Sequence, residues 1–427
     1  MAEEDVIHCA KTFDYSLVLK PKQIECFIHI LSGRDVIVNL PVGYGKSLIY
    51  QLLPGIMKKK GRRKTVVLVV SPLNIIQEEQ LKFLESRSVS ACRLPYSDYD
   101  LKEDLSKIAD GHFSVLFAHP EVLLNTESGN LLLQDPSFID KVAAVTIDEC
   151  HIVEEWGAEF RTAFKKLKTL PAIFSGVPFI ALSGTLTKHQ LRTIPSTLGL
   201  LSPAIVQETP DRYNIYLSKI LKIKGNDVCE VYEAIFKEEC ELLHKNPGNY
   251  PITLLFMPLF YISQAAAYLL HLFGPCDIKK SCYSVLYSRQ EKAVIKATLE
   301  ALHSPKSRIR LVLTSCVAGM GFDPPCIERV IHAKPPRNLS QYLQEIGRAG
   351  RRGQPSKAIL YFNKKDVAKN LPGIQEDIVE YCYNEDKCLR EMLLAPFGFM
   401  KSDNIASDKC CSYCSLQQTV KSQSLDC

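Results

Sequence analysis

Val36-Ile37-Val38-Asn39-Leu40-Pro41-Val42-Gly43-Tyr44-Gly45-Lys46-Ser47 decides the architecture: a β-branched run, a glycine-bearing turn, then a helix-length segment reaching Met57. Strand, glycine loop and helix in that order form the context of a phosphate-binding loop. Glycines let backbone amides turn toward phosphate oxygens, and the amino end of the helix adds a favourable dipole. Lys46 would reach the β- and γ-phosphates of a nucleotide, and the Ser47 hydroxyl would sit on Mg²⁺. Leu40 occupies the first glycine position of the GxxxxGK[ST] pattern. Alone, the stretch also reads as a strand-to-helix turn that happens to use glycine.

Outward from this loop, short apolar runs recur at Thr65 to Val70, Ser114 to Phe117, Val142 to Ile147 and Phe179 to Leu182. Helix-length segments such as Ser47 to Met57 and Ile75 to Leu84 separate them. Strands apolar nearly throughout, alternating with helices, predict a parallel sheet covered on both faces. The pattern restarts after Ser202, with strands expected at Ile252 to Phe256, Ile309 to Leu313, Arg329 to Ile331 and Ala358 to Tyr361. Gln264 to Leu272 and Gln290 to His303 read as its helices. Prolines and polar residues between Pro203 and Asn214 mark the boundary, and beyond Asp366 a helical, cysteine-bearing tail begins. The expected organisation is an α/β chain of three parts: 1–204, 205–368 and 369–427.

Composition agrees. The 427 residues are 46% hydrophobic and 23% charged, a globular balance that disfavours disorder and coiled coil. A length of about 150 residues per domain gives two or three domains. The 52 basic and 47 acidic residues leave a net charge of +5, which permits a nucleic-acid partner without arguing for one. No apolar run approaches the roughly 18 residues of a spanning helix. The amino terminus, MAEEDVIHCAKTFDY, is acidic where a signal peptide is basic, so secretion and membrane insertion are not expected. The basic cluster Lys58-Lys59-Lys60-Gly61-Arg62-Arg63-Lys64 falls between a helix and a strand and reads as a solvated loop.

A second chemical feature joins the phosphate loop. The run Val142 to Ile147 ends in Asp148-Glu149-Cys150-His151. Paired carboxylates at the end of a buried strand are costly unless a cation or a proton-transfer role compensates. Asp148 fits the partner of Mg²⁺, directly or through water, and Glu149 fits the group that polarises the attacking water. Capping of the following helix is the other reading of the pair.

With GYGKS upstream of it, DECH resembles the DEAD/DEAH-type box of superfamily 2 helicases, and DECHIVEEWGAEFR resembles that box running into the aromatic-rich loop of RecQ-family DNA helicases. The resemblance extends along most of the chain. Lys20-Pro21-Lys22-Gln23 stands at the family's adenine-reading motif, with Gln23 at the base-recognising glutamine and Lys20 in place of the usual arginine, which weakens stacking. Ser71-Pro72-Leu73 and His119-Pro120-Glu121 match two strand-end motifs. Ser183-Gly184-Thr185 matches the coupling motif, with Gly184 where alanine is common, and Val42 replaces a usual threonine.

In the second part, Gln344-Glu345-Ile346-Gly347-Arg348-Ala349-Gly350-Arg351 matches the family's QExGRAGR form. The spacing places Arg348 and Arg351 on one helical face, able to point together across a cleft at the γ-phosphate, with Gln344 nearby. Ser315 to Asp323 resembles the preceding motif, with Gly321 and Asp323 toward the nucleotide and Ser315 toward nucleic acid. The resemblance assigns Trp156, Phe160 and Arg161 to nucleic-acid coupling, together with Ser183 and Thr185; a buried packing anchor is the other reading of Trp156. It implies two tandem RecA-like domains closing on ATP, movement 3′→5′ on single-stranded or tailed DNA, and a role in repair or recombination.

Eleven of the 16 cysteines are scattered, as in a protein of a reducing compartment, nucleus or cytoplasm, with the nucleus favoured by the resemblance. The other five lie between Cys382 and Cys414. The Cys411-Ser412-Tyr413-Cys414 pair has zinc-ligand spacing. The RecQ resemblance implies a short helical subdomain holding one structural Zn²⁺ through Cys388, Cys411, Cys414 and either Cys410 or Cys382. The chain ends 13 residues past Cys414, so the winged-helix and HRDC domains frequent in the family are not expected in it.

Overall fold

The computed structural model describes residues 2–425 apart from 15, 73, 96–100, 156–161, 223–227, 276–279, 288–289, 305, 316–323 and 369. Trp156, Phe160, Arg161, Gly321 and Asp323 therefore lie outside the described residues. Two compact units divide the chain, Met1–Pro210 and Asp211–Cys427.

The first unit is built on seven strands: β1 (Val36–Asn39), β2 (Val66–Val70), β3 (Ala91–Arg93), β4 (Val115–Ala118), β5 (Val142–Ile147), β6 (Phe179–Ser183) and β7 (Ala204–Gln207). All pair in parallel, in the order β3-β4-β2-β5-β6-β1-β7. The central strands are apolar at nearly every position because both faces are covered, with Asn39 and Ser183 polar only at the carboxyl ends of β1 and β6 and Thr146 near the end of β5. Val36, Val38, Val67, Val69 and Phe117 join one core, while Ile37, Leu68, Val70 and Leu116 join the other. Alternation along a pleated strand sends neighbours to opposite faces, and each such side chain contributes about 1.5–3 kcal/mol by leaving water. The first unit runs past the boundary expected at 204, because β7 pairs with β1 from Val36↔Ala204 to Asn39↔Gln207.

The second unit carries β8 (Ile215–Leu221), β9 (Thr253–Phe256), β10 (Tyr283–Leu286), β11 (Leu311–Thr314), β12 (Arg329–His332) and β13 (Ser356–Phe362). These too are parallel, in the order β10-β11-β9-β12-β13-β8. The cysteine-bearing tail packs within this unit, against the edge strand β8. A bridge joins Leu217 to Cys411, and the Lys219 ammonium donates to the carbonyls of Tyr381 (3.2 Å) and Cys382 (2.8 Å) at the end of the helix Glu376–Tyr383. An edge that would offer unpaired backbone groups is thus covered.

Strand order positions the site. In the first sheet β5, β6 and β1 are adjacent, and Asn39 lies beside Ser183 in register. The loops leaving their carboxyl ends carry the acidic pair, Ser183-Gly184-Thr185 and the glycine loop. Crevices at such strand ends are where open parallel sheets hold ligands.

Candidate nucleotide site and cysteine centre

The glycine loop takes the conformation its composition predicts. Gly43 and Gly45 have φ of +82° and +90°, a region that L side chains rarely occupy. The helix Ser47–Lys59 starts immediately after Lys46, placing Ser47 in its first turn. The Lys46 ammonium donates to the Leu40 carbonyl at 2.9 Å, inside the loop. A side chain on Gly184 would put its Cβ 3.1 Å from that ammonium and 3.6 Å from Val42. Two of the departures from the family pattern, Val42 and Gly184, are therefore neighbours around Lys46.

Gln23 is buried and braces the loop from beneath. Its amide nitrogen donates to the carbonyls of Tyr44 (3.1 Å) and Gly45 (2.9 Å), and its oxygen accepts from the Lys20 backbone (2.8 Å). A Cβ on Gly45 would fall 2.6 Å from the same amide nitrogen and displace it, so a side chain there would disturb the Gln23 brace as well as strain a backbone at φ of +90°. The Lys20 ammonium lies 4.4 Å from the centre of the Tyr44 ring, a cation–π contact.

Two strands away, Asp148 and Glu149 leave β5. The Asp148 carboxylate accepts the Glu149 amide at 3.1 Å. Burial, and next to it the charge of Glu149, push the Asp148 carboxyl up to about 7, with Lys46 pulling it partly back. Glu149 has φ of +50°, unusual for a residue with a side chain. Backbone in this region costs on the order of 1–3 kcal/mol and concentrates at functional sites. The Glu149 carboxylate lies 3.2 Å from His151 Nδ1, and that nitrogen lies 3.0 Å from the Ser183 hydroxyl. Ser183 in turn accepts the Thr185 amide at 3.3 Å. The acidic pair and the coupling motif thus form one connected group.

Sequence reasoning passed over Asn39. Its side chain donates to the Leu186 carbonyl (3.1 Å) and accepts the Leu186 amide (3.0 Å), fastening the end of β1 to the loop after Thr185. The signal was available: a buried asparagine at the last position of an apolar strand needs partners.

In the second unit, the helix Leu339–Ile346 carries Gln344 but stops before the arginines. The expectation that Arg348 and Arg351 share a helical face is corrected here. Gly347 ends the helix, Gly350 turns the chain at φ of +68°, and both arginines stand on the turns that follow. Arg348 is buried. Burial and then the neighbouring Arg212 lower the proton affinity of Arg351. The helix itself is pinned by a buried pair, His332 Nε2 to a Glu345 carboxylate oxygen at 2.7 Å, with Gln341 donating to the other oxygen at 3.0 Å. Ser315 follows β11 and is half-buried.

The cysteine tail resolves an open alternative in geometry. The sulfurs of Cys388, Cys410, Cys411 and Cys414 lie within 4.8 Å of one another, whereas Cys382 is outside the group. Cys388 Sγ is 3.6 Å from Cys410 Sγ and 3.8 Å from Cys411 Sγ. A tetrahedral ion with Zn–S bonds of about 2.3 Å spaces its sulfurs about 3.8 Å apart, so the donor set fits such an ion. The four thiols share protons: contacts from Cys388 and Cys410 hold the Cys411 thiol well below its usual range, while the same cluster pushes Cys410 up, and burial with the neighbouring sulfurs pushes Cys414 up.

Comparison with known proteins agrees with this layout. Residues 20–194 match the DEAD/DEAH box helicase family, and 241–353 match the helicase conserved C-terminal domain. The ATP-dependent helicase SGS1 of Saccharomyces cerevisiae is 26% identical over 89% of this chain and 26% of its own length. The bifunctional 3′-5′ exonuclease/ATP-dependent helicase WRN of Mus musculus is 29% identical over 96% of this chain and 29% of its own. ATP-dependent DNA helicase Q-like 2 of Arabidopsis thaliana is 26% identical over 94% and 56%. The chain thus spans between about a quarter and just over half of these relatives' own length. Among solved structures, the Mycobacterium smegmatis helicase Lhr bound to single-stranded DNA and AMP-PNP shares the fold at a TM-score of 0.60 and 19% identity, covering 87% of this chain and 49% of that one. Two parallel sheets, a glycine loop beside a DECH box, an Arg-Ala-Gly-Arg loop and these alignments lead to one conclusion: over most of its length the chain is similar to RecQ-family ATP-dependent helicases, with a DEAD/DEAH box helicase match followed by a helicase conserved C-terminal match.

Proposed function

We propose that this chain is an ATP- and Mg²⁺-dependent DNA helicase or translocase that moves 3′→5′ on single-stranded or tailed DNA. The observation that carries the reading is the convergence of Lys46, Ser47, Asp148, Glu149 and Ser183 at three adjacent strand ends. In this reading Lys46 grips the β- and γ-phosphates. Ser47 and Asp148 would hold Mg²⁺, which supplies neutralising charge at the phosphate oxygens. Glu149 polarises the attacking water, with His151 and Ser183 orienting it. Arg348 and Arg351, helped by Gln344, neutralise charge developing on the γ-phosphoryl group, while Lys20 and Gln23 hold the base. Because these groups belong to two compact units, hydrolysis removes what both of them grip, and Ser183, Thr185 and Ser315 pass that change to the nucleic acid. Trp156, Phe160 and Arg161 would engage bases in a sequence-tolerant way. Gly321 and Asp323 would complete the nucleotide site from the second unit. Cys388, Cys410, Cys411 and Cys414 would hold one structural Zn²⁺. Family kinship supports work in DNA repair or recombination and residence in the nucleus; no helix among the described residues is long and apolar enough to cross a membrane.

The test is strand displacement on a 3′-tailed duplex beside a 5′-tailed one, with ATP and Mg²⁺. Displacement of the 3′-tailed substrate alone is expected. Binding of DNA with no ATP turnover would instead identify an adaptor, and stimulation by RNA over DNA would identify an RNA-directed enzyme.

Two further outcomes follow from the site. A cation arriving at Asp148 must displace its proton below about pH 7. The apparent affinity for Mg·ATP should therefore fall as pH drops from 7 to 6, approaching tenfold per unit, and level off above 7. Steady-state titrations of Mg·ATP across that range check it. In the tail, metal analysis should find one zinc per chain, and Cys411→Ser should lose it, with faster proteolytic cleavage between residues 370 and 420. Retention of zinc by that variant would rule out the ligand set.

A further inference from the structure

The segment between the two sheets, Asp211-Arg212-Tyr213-Asn214, does more than connect them. On one side it grips the arginine-bearing loop. The Arg212 guanidinium donates to the Ala349 carbonyl at 3.2 Å, and the Asn214 side-chain amide donates to the carbonyls of Gly350 and Gln354, both at 2.8 Å. The fit is close: a Cβ on Gly350 would lie 2.3 Å from that amide nitrogen. On the other side the segment is held by Arg390, whose side chain is almost fully buried two residues past Cys388. One Arg390 nitrogen donates to the Asp211 carboxylate and to the Arg212 carbonyl (3.0 Å); the other donates to the carbonyls of Ile215 and Cys410 (3.3 Å for the latter). The contacts run without a gap from a backbone group of a clustered cysteine, through Arg390, to the carbonyls of residues 349 and 350.

We propose that Arg212 and Asn214 are positioning residues for the Arg348–Arg351 loop, and that Arg390 makes their position depend on the state of the cysteine centre. This rests on the reading that Arg348 and Arg351 act on ATP. The physical argument is one of leverage. A guanidinium stabilises a developing charge only when held in place, and a displacement of about 1 Å can cost about a hundredfold in rate. Three glycines (Gly347, Gly350, Gly353) leave the loop little stiffness of its own, so its placement is set by whatever holds its carbonyls. Among those holders are two half-buried side chains, Arg212 and Asn214, on a segment that is itself clamped to the cysteine centre; the Gly350 amide also donates to the Ile327 carbonyl at 3.0 Å, and the Gln354 side chain to the carbonyls of Pro325 and Ile327.

The experiment uses the full, zinc-loaded chain and four variants: Arg212→Gln, Asn214→Ala, Arg390→Lys and, as a control on the underlying reading, Arg351→Ala. The first two leave the cysteines untouched and should retain one zinc per chain. Their kcat for ATP should fall about 10- to 100-fold with KM for ATP changed less than about threefold. Hydrogen exchange in the nucleotide-free protein supplies a readout independent of turnover. Amides of residues 349 to 353 should exchange faster in Arg212→Gln and Arg390→Lys, and removal of zinc from the parent should produce the same change. Zinc removal should lower kcat in the parent yet add little in Arg212→Gln, because both act through one chain of contacts. Parental kcat and exchange in Arg212→Gln and Asn214→Ala, alongside an inactive Arg351→Ala, would overturn the positioning role. Full multiplication of the zinc and Arg212 effects would overturn the relay. An Arg351→Ala variant as active as the parent would instead refute the assignment of the arginines, whatever the exchange data show.

Discussion

Glu149→Gln is expected to lower kcat for DNA-stimulated ATP hydrolysis about 10²- to 10⁴-fold while leaving KM for ATP nearly unchanged. The substitution preserves shape and removes only the charge that would take the proton of the attacking water. The glutamate is held in a left-handed backbone conformation at φ of +50°, with its carboxylate 3.2 Å from His151, a strained placement of the kind that concentrates at functional sites. A second consequence separates this role from a merely structural one. Glu149 is, after burial, the main cause of the raised Asp148 carboxyl, so the Gln variant should keep its affinity for Mg·ATP to lower pH than the parent. Lys46→Ala should behave differently, losing nucleotide affinity as well as turnover.

Arg351→Ala should cost about 10³ to 10⁵ in kcat with little change in nucleotide affinity. Arg351 belongs to the second compact unit, whereas Lys46, Asp148 and Glu149 belong to the first. A guanidinium kept from water beside another, Arg212, is costly in the resting protein. In the proposed reading that cost would be recovered when anionic charge develops within its reach, which is how a preorganised cation favours the transition state over the ground state. Lysine at 351 should restore only part of the rate, because an ammonium cannot reproduce the planar fork. Pre-steady-state phosphate release, with nucleotide binding measured separately, checks both statements.

How much of this was legible in the sequence depends on where a strand sits. The interior strands β1, β2, β4, β5, β6, β9, β11, β12 and β13 each carry a short apolar run, and those runs made them recognisable. The ones passed over, β3, β7, β8 and β10, are the four edges of the two sheets. An edge strand is covered on fewer sides and carries polar residues, as in Ala204–Gln207, where Ile205 is half exposed. Such a strand looks like linker. The same blindness affected Asp211 to Asn214, read as part of the boundary from Pro203 to Asn214 because of the prolines and polar residues of that stretch, although Arg212 and Asn214 are among the groups that hold the arginine loop.

The chemical residues were more readable than their geometry. Glycine spacing and the DECH box picked out the candidate nucleotide site because phosphate and cation chemistry demand particular groups in a particular order. Spacing alone suggested a helix across Arg348 and Arg351, whereas the helix ends at Ile346 and glycines carry the chain into turns. In the tail, the CxxC pair was evident, yet choosing between Cys382 and Cys410 needed the fold. Cys382 sits in the helix Glu376–Tyr383 and lies outside the sulfur cluster, while Cys410 closes it.

The most direct measurement is phosphate release by the whole chain at saturating Mg·ATP, with and without single-stranded DNA. Fast release with DNA and slow release without it is the predicted result. No release under either condition, from protein that still binds DNA, would contradict the account.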